Sequence, residues 1–171
     1  MNRKKFEADG LWEYALRALA QRAHSLGELR RKLASRAASP EDVRATMEKL
    51  REYGLADDRR FAEAFSTSRL QNNGFGKLRI LRDLRAKNVA AKVAEEAVRK
   101  TFDGIDEQEL IERFLKRKYR GKDLRELLRE PKHLNAAYRR LRMAGFSSAV
   151  AVGALRRYAE AAEELDGLEQ E

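Results

Sequence analysis

Cysteine is absent from the chain, so neither disulfides nor thiol chemistry can contribute to its fold or its function, and a reducing compartment is expected. Proline occurs only twice, at Pro40 and Pro131, each beside an expected helix start, which leaves the intervening chain free to be helical. No apolar run approaches the roughly 18 residues of a membrane-spanning helix, and the opening MNRKKFEADG carries no apolar signal core. A soluble cytoplasmic protein with no membrane partner is therefore expected. Nor is there an alternating apolar–polar run bounded by turns, so no strand is expected. The raw material of catalysis is thin. His24 and His133 are isolated, without a nucleophile or carboxylate at useful spacing, and both read as surface residues. No catalytic residue, metal or cofactor is expected, and an enzyme is the least favoured reading.

Charge is abundant. Lys and Arg number 37 against 28 Asp and Glu among 171 residues, giving a net charge of +9. The isoelectric point is near 9.9 and the mean hydropathy is −0.72. The excess suits a partner with acidic groups, either nucleic acid or a protein surface, while the many acids imply that helix-surface pairing absorbs part of the charge. The modest apolar supply suits stacked small modules better than one thick core.

Periodicity and cap signals divide the chain. Residues 1–10 read as a flexible N-terminus. Residues 11–55 form a first three-helix repeat, with Leu11, Ala15, Leu16 and Leu19 inward on its first helix. Ser25 and Glu28 make a capping box for the second helix, and Ser39-Pro40 starts the third. Residues 56–103 form a second repeat. Asp57 and Asp58 begin its first helix, which carries Phe61, Ala62, Phe65 and Leu70 on one side and breaks at Asn72-Asn73-Gly74. Gly76 opens its basic middle helix, with Leu78, Ile80, Leu81 and Leu84 inward and Lys77, Arg79, Arg82 and Arg85 around them. Asn88 ends that helix in a left-handed conformation. Residues 104–160 form a third repeat, whose long first helix is capped by Asp106 and which carries a short inserted helix at Lys122–Pro131, and residues 161–171 form an acidic tail.

The repeats align internally. Placing Ser25, Gly76 and His133 in register brings Leu29, Ile80 and Ala137 together, and likewise Leu33, Leu84 and Leu141; Asn88 then falls on Gly145. The expected fold is all-α, three tandem three-helix repeats stacked into an elongated, curved array.

These residues resemble the RecX family, bacterial regulators of the RecA recombinase. The first repeat carries the family pattern as Ala15-Leu16, Leu19, Arg22, Ser25, Glu28-Leu29 and Lys32-Leu33. The border carries it as Gly54, Leu55, Asp57, Asp58, Phe61 and Ala62, and the middle repeat as Gly76, Arg79, Ile80, Leu84, Lys87 and Asn88. The likeness runs from about Leu11 to Tyr158 and is looser in the third repeat. Ala56 stands where the family has a larger apolar residue, and Asn88 where it has Gly. The resemblance implies three three-helix repeats and no enzymatic activity. It also implies binding along the groove of the RecA–DNA filament, with suppression of ATPase, strand exchange and co-protease function.

Other readings of the same residues are weaker. Adjacent Asp57 and Asp58 diverge by about 100° on a helix, so a structural cap fits them better than a metal pair. Trp12 and Tyr14 at helical spacing read as core before they read as base-stacking rings. The glycines of Asn72–Gly76 lack the strand and the Lys-Ser/Thr of a phosphate loop and read as a turn. The basic residues carry the functional expectation. Arg79 and Arg82, spaced i, i+3, share a face; Arg117 and Arg120, in a run that also holds Arg113, Lys116 and Lys118, repeat the spacing. Lys77, Arg79, Arg82, Arg85, Arg117 and Arg120 are the candidate filament- or nucleic-acid-binding residues, and Asp57, Asp58, Phe61 and Gly76 the structural ones. The partner is expected to be the RecA filament, with single- or double-stranded DNA as a further one, bound by a monomer. The alternative is an architectural DNA-binding module, but its basic residues would gather at one helix end and a dimer seam would be needed.

Overall fold

The structure, a computed structural model, describes residues 5–159 and 162. Among the described residues there are ten α-helices and no strand; the one bridge pairs Phe6 with Ala37. The helices are α1 (Ala8–Gln21), α2 (Leu26–Ala34), α3 (Pro40–Glu52), α4 (Asp58–Ser68), α5 (Lys77–Ala86), α6 (Ala91–Thr101), α7 (Glu107–Lys118), α8 (Leu124–Leu127), α9 (Pro131–Ala144) and α10 (Ser148–Leu155). A π-helical turn, Arg69–Asn73, extends α4 and stops at Gly74, whose φ of 63° closes it.

The chain divides into two compact units. The first holds the chain up to Phe65 together with Asp83–Ala97; the second holds Ser66–Arg82 and the chain from Val98. Helices α4, α5 and α6 therefore contribute residues to both.

In the first unit the helix starts follow their sequence signals. Ser25 accepts from the Glu28 amide while the Glu28 side chain accepts from the Ser25 amide, and Ser39 with Asp42 repeats the arrangement before Pro40. The amphipathic faces of α1, α2 and α3 meet around Leu11, Ala15, Leu29, Leu33, Val43, Met47 and Leu50. Burying each of the larger side chains contributes about 1.5–3 kcal/mol. Ala56, small as it is, belongs to this core, and Trp12 and Tyr14 pack against it. Two expectations fail here. Leu16 is 38% exposed, because the inward stripe of α1 runs through Leu11, Ala15 and Ala18. Helix α1 also begins at Ala8, since Phe6 exchanges backbone hydrogen bonds with Arg36 and Ala38 and so anchors the chain ahead of it.

The second unit packs α10 on α7 and α9. Leu110, Ile111, Phe114 and Leu115 of α7 are all buried, and Asp106 caps the helix by accepting from the amides of Gln108 and Glu109. Phe146 is fully buried, edge-on to Phe114 at 6.1 Å. Helix α10 is apolar on all sides, which suits a helix covered on several faces. The inserted helix is shorter than expected, a single turn at Leu124–Leu127 capped by Asp123. The acidic tail expected at 161–171 lies outside the described residues except for Ala162.

Each unit contains one copy of the same joint. In the first, the carbonyl of Lys87 accepts from Ser25 Oγ, and Asn88, in the left-handed region at φ 57°, lies against Gly27. A Cβ on Gly27 would stand 2.4 Å from that of Asn88. In the second, the carbonyls of Ala144 and Gly145 accept from the amides of Gly76 and Leu78 at 2.9 and 3.0 Å. Gly145 holds φ 94°, and a Cβ there would stand 2.2 Å from the Arg79 nitrogen. Ser25 corresponds to Gly76 and Asn88 to Gly145 in the internal register, so the end of one repeat's second helix docks on the start of the preceding repeat's second helix. The free amides of a helix start are natural donors to such carbonyls.

Candidate basic interface

The border residues are structural, with a division of labour that spacing alone does not show. Asp57 caps its own helix, accepting from the amides of Arg59 and Arg60. Asp58 reaches back to another helix and accepts from the Leu26 amide, the first of α2, at 2.8 Å. Burial pushes the Asp58 carboxyl up; the Leu26 amide opposes this, Asp57 adds to it, and Arg51 opposes it. Among the described residues no three His, Asp or Glu side chains gather as a metal site would need. Phe61 is buried and stacked on Phe65 at 5.7 Å, with Lys87 Nζ 5.9 and 5.4 Å from the two ring centres. Lys87 also pairs with Glu28 at 2.8 Å. Burial alone would raise the Glu28 carboxyl, but hydrogen bonds from Lys87 and Arg22 outweigh it and hold the group at about 2.

His24, expected at the surface, is 5% exposed. Burial lowers its pKa and Arg22 adds to the effect, so the imidazole is neutral at pH 7. His133 is half-buried beside Glu130 at 3.4 Å. Gly76 has no room for a ligand, because a Cβ there would already lie 2.4 Å from the Gly145 carbonyl oxygen. Its segment, expected as a plain turn, instead ends a π-helix at Asn73 and crosses to α5 through Gly74, Phe75 and Gly76.

The candidate cations separate into different situations. Arg85 belongs to the first unit, 3.8 Å from Glu95 and well exposed. Lys77 is tied to the Glu107 carboxylate and lies over the Phe102 ring, so much of its charge is answered locally. Arg79 and Arg82 do share a face, and there both donate to the Met143 carbonyl at 3.4 Å. Leu78, expected inward, is 51% exposed, because the joint occupies its backbone and leaves its side chain outside. Arg117 donates to the carbonyls of Asn72 and Asn73, which the π-helical turn leaves without helical partners. Arg120 does not repeat the helical spacing, since α7 ends at Lys118 and Arg120 lies in the turn beyond it.

What the structure brings together is a cleft of about 390 Å³ in the second unit. Among the described residues its lining includes Arg79, Arg117, Lys118 and Arg140 with Phe75, Phe114 and Met143, and no acidic side chain. Arg79 lies over Phe75 at 5.1 Å; Arg117 and Lys118 lie over Phe114 at 5.7 and 5.8 Å. Lys118 and Arg140 are exposed, and Met143 is 68% exposed. Sequence reading missed Phe75 and Arg140. The signal for the first was an aromatic between two glycines; for the second, a pair of arginines one turn before Met143.

Comparison with known proteins agrees with this architecture. Residues 12–50 match the first three-helix domain of RecX and residues 57–98 the second. The chain is 36% identical over 124 residues to a regulatory protein RecX of Pseudomonas savastanoi, spanning 71% of this chain and 78% of that one. It is 31% identical to a regulatory protein RecX of Deinococcus radiodurans over 90% of this chain and 71% of that one. The crystal structure of RecX from Lactobacillus salivarius shares the fold, with a TM-score of 0.69 at 20% identity over 93% of this chain and 96% of that one. With its two matched domains, its internal register and relatives of this identity and coverage, the chain belongs to the RecX family of regulatory proteins.

Proposed function

We propose that the chain acts on RecA: that it binds the RecA–DNA filament as a monomer and restrains recombinase, ATPase and co-protease activity without catalysing a reaction. The family is one of regulators, and the observation that carries the reading beyond the family name is the cleft of the second unit, lined by Arg79, Arg117, Lys118 and Arg140. Clustered cations attract phosphate or acidic side chains, and both are plentiful on a protein filament wrapped around DNA. The non-enzymatic part rests on the border acids. Asp57 and Asp58, the closest approach to a catalytic pair, engage backbone amides of two helices.

The test is inhibition of the ATPase of the cognate RecA filament on single-stranded DNA by the purified chain, with its mass in solution measured alongside. Inhibition at stoichiometry below one chain per RecA, by a monomer that hydrolyses no ATP alone, is the expected result. A chain that leaves the filament's ATPase and assembly unchanged sinks the reading.

A further inference from the structure

The geometry points to the cleft beside the π-helical turn as a binding site for single-stranded nucleic acid, taking phosphates on Arg117, Lys118 and Arg140 and a base against Phe75. The inference rests on the filament reading and sharpens it, by assigning the contact with DNA, as distinct from RecA, to one place.

Four features favour nucleic acid over an acidic peptide. The cations surround aromatic rings, and single-strand sites combine a positive groove with π-faces on which bases stack. A carboxylate-bearing peptide needs the cations but gains little from the rings. Phe75 is only half-buried although it lies between Gly74 and Gly76, both buried, so a ring is presented where the backbone is closed. Arg117 is anchored by the Asn72 and Asn73 carbonyls through two of its guanidinium N–H groups, which fixes its plane. A guanidinium carries five donors in a rigid fork, matched to phosphate oxygens. Finally, a second hollow of about 400 Å³ shares Phe114 and Arg117 with the first and adds Arg113 and Gln71. Two hollows that share one anchored arginine suit a strand running past it. The π-helical turn ends at Gly74, its last carbonyls hold Arg117, and such turns recur at functional sites.

The experiment is fluorescence anisotropy of a labelled oligothymidine with the intact protein, without RecA, over a salt series. The parent should bind with a log–log slope of about −0.7 per phosphate neutralised. Lys118→Ala with Arg140→Ala, both exposed, should weaken binding and flatten the slope by about 1.4. Phe75→Leu should weaken binding roughly five- to hundredfold while leaving the slope unchanged, as loss of a stacked base does. The charge-matched control, Arg30→Ala with Arg31→Ala on α2, should keep the parent's slope. Circular dichroism of each variant confirms folding. No binding by the parent, equal losses in the cleft and control pairs, or competition by polyglutamate as effective as by unlabelled oligonucleotide overturns the inference. A cleft pair that binds oligonucleotide normally yet fails to inhibit the RecA filament also overturns it, and leaves the filament reading standing. Failure of the parent to inhibit RecA would instead remove that reading while the oligonucleotide result stood by itself.

Discussion

The Asp58 carboxylate accepts a hydrogen bond from the Leu26 amide across 32 residues of sequence, so the border between the first two repeats supplies the cap of a helix in the first. Ser25 satisfies the Glu28 amide of the same helix, and the two acceptors together answer two of the four amides that a helix start leaves open. Asp58→Ala should cost about 1–2 kcal/mol in urea denaturation. Asp57→Ala, which removes only the cap of α4, should cost about 0.5–2 kcal/mol. Hydrogen exchange separates them: Leu26 should lose amide protection in Asp58→Ala and keep it in Asp57→Ala. Equal protection in both would make the cross-border bond energetically idle.

The acid side of the stability curve follows from Glu28. Its carboxyl is lowered from 4.5 to about 2 in the folded chain, and its side chain is 15% exposed. A depressed carboxyl contributes stability that is complete above about pH 4.5 and is lost as pH falls through 2, at most about 3 kcal/mol. Neutral His24 acts in the same direction at higher pH. Its folded pKa lies below 6.5, so the unfolded chain takes up the proton first, and stability begins to fall as pH drops below 6.5. Urea midpoints measured from pH 7 to pH 2.5 should decline in two stages. Glu28→Gln should remove most of the lower stage and leave the upper one; a lower stage unchanged by the substitution would place the acid sensitivity elsewhere.

Much of this fold was legible because its signals are local. The capping boxes at Ser25 and Ser39, the cap at Asp106, the four inward residues of α7 and the left-handed Asn88 are all set within a turn or two of chain. Leu78 and His24 were misplaced for the opposite reason. Leu78 fits the apolar stripe of α5, but a distant carbonyl, that of Gly145, docks on its amide and holds its side chain outside. His24 precedes a cap, usually an exposed position, and is covered by the border segment that sequence places 30 residues later: both line a hollow with Leu55, Asp57 and Phe61. The cleft was legible only in part. Its cations at Arg79, Arg117 and Lys118 stood out as runs of charge, whereas Phe75 and Arg140 come from segments 65 residues apart and meet only through tertiary packing.

The two joints make opposite demands on similar residues. Gly145 combines φ 94° with backbone contact, so Gly145→Ala adds left-handed strain of about 1–2 kcal/mol and a collision that the Arg79 backbone cannot relieve by rotating a side chain. A loss well above 2 kcal/mol is expected. Asn88 has the same handedness at φ 57° but already carries a side chain, so Asn88→Gly should change stability by less than about 1 kcal/mol. Thermal melts of both variants check the pair, and similar losses in the two would argue that the joints are not equivalent.

Phe61 tests the border's packing. It is 8% exposed, stacked with Phe65 and approached by Lys87 Nζ. Phe61→Ala should cost about 3–5 kcal/mol if the space does not collapse. Phe61→Leu should recover more than half of that by refilling the volume. Denaturation midpoints that fall by less than about 1 kcal/mol for the alanine variant would show that the ring is dispensable.

Arg79 and Arg82 carry the sharpest test, because two roles converge on them. Both donate to the Met143 carbonyl in the second joint, at long range and near solvent. Removing both by Arg79→Ala with Arg82→Ala should therefore cost about 0.5–1.5 kcal/mol, more than a freely solvated pair of charges would. That loss is small beside a typical stability of 5–15 kcal/mol, so the variant should stay folded. On the proposed reading, inhibition of the RecA filament should fall far more than the folded fraction does, and fall further as salt rises. Lysine at both positions keeps the charge but loses the planar fork that two guanidiniums offer to phosphate or carboxylate, so it should restore inhibition only in part. A double alanine variant that melts lower yet inhibits as well as the parent would confine these arginines to the joint. The binding charge would then have to come from the exposed cations of the cleft, Lys118 and Arg140.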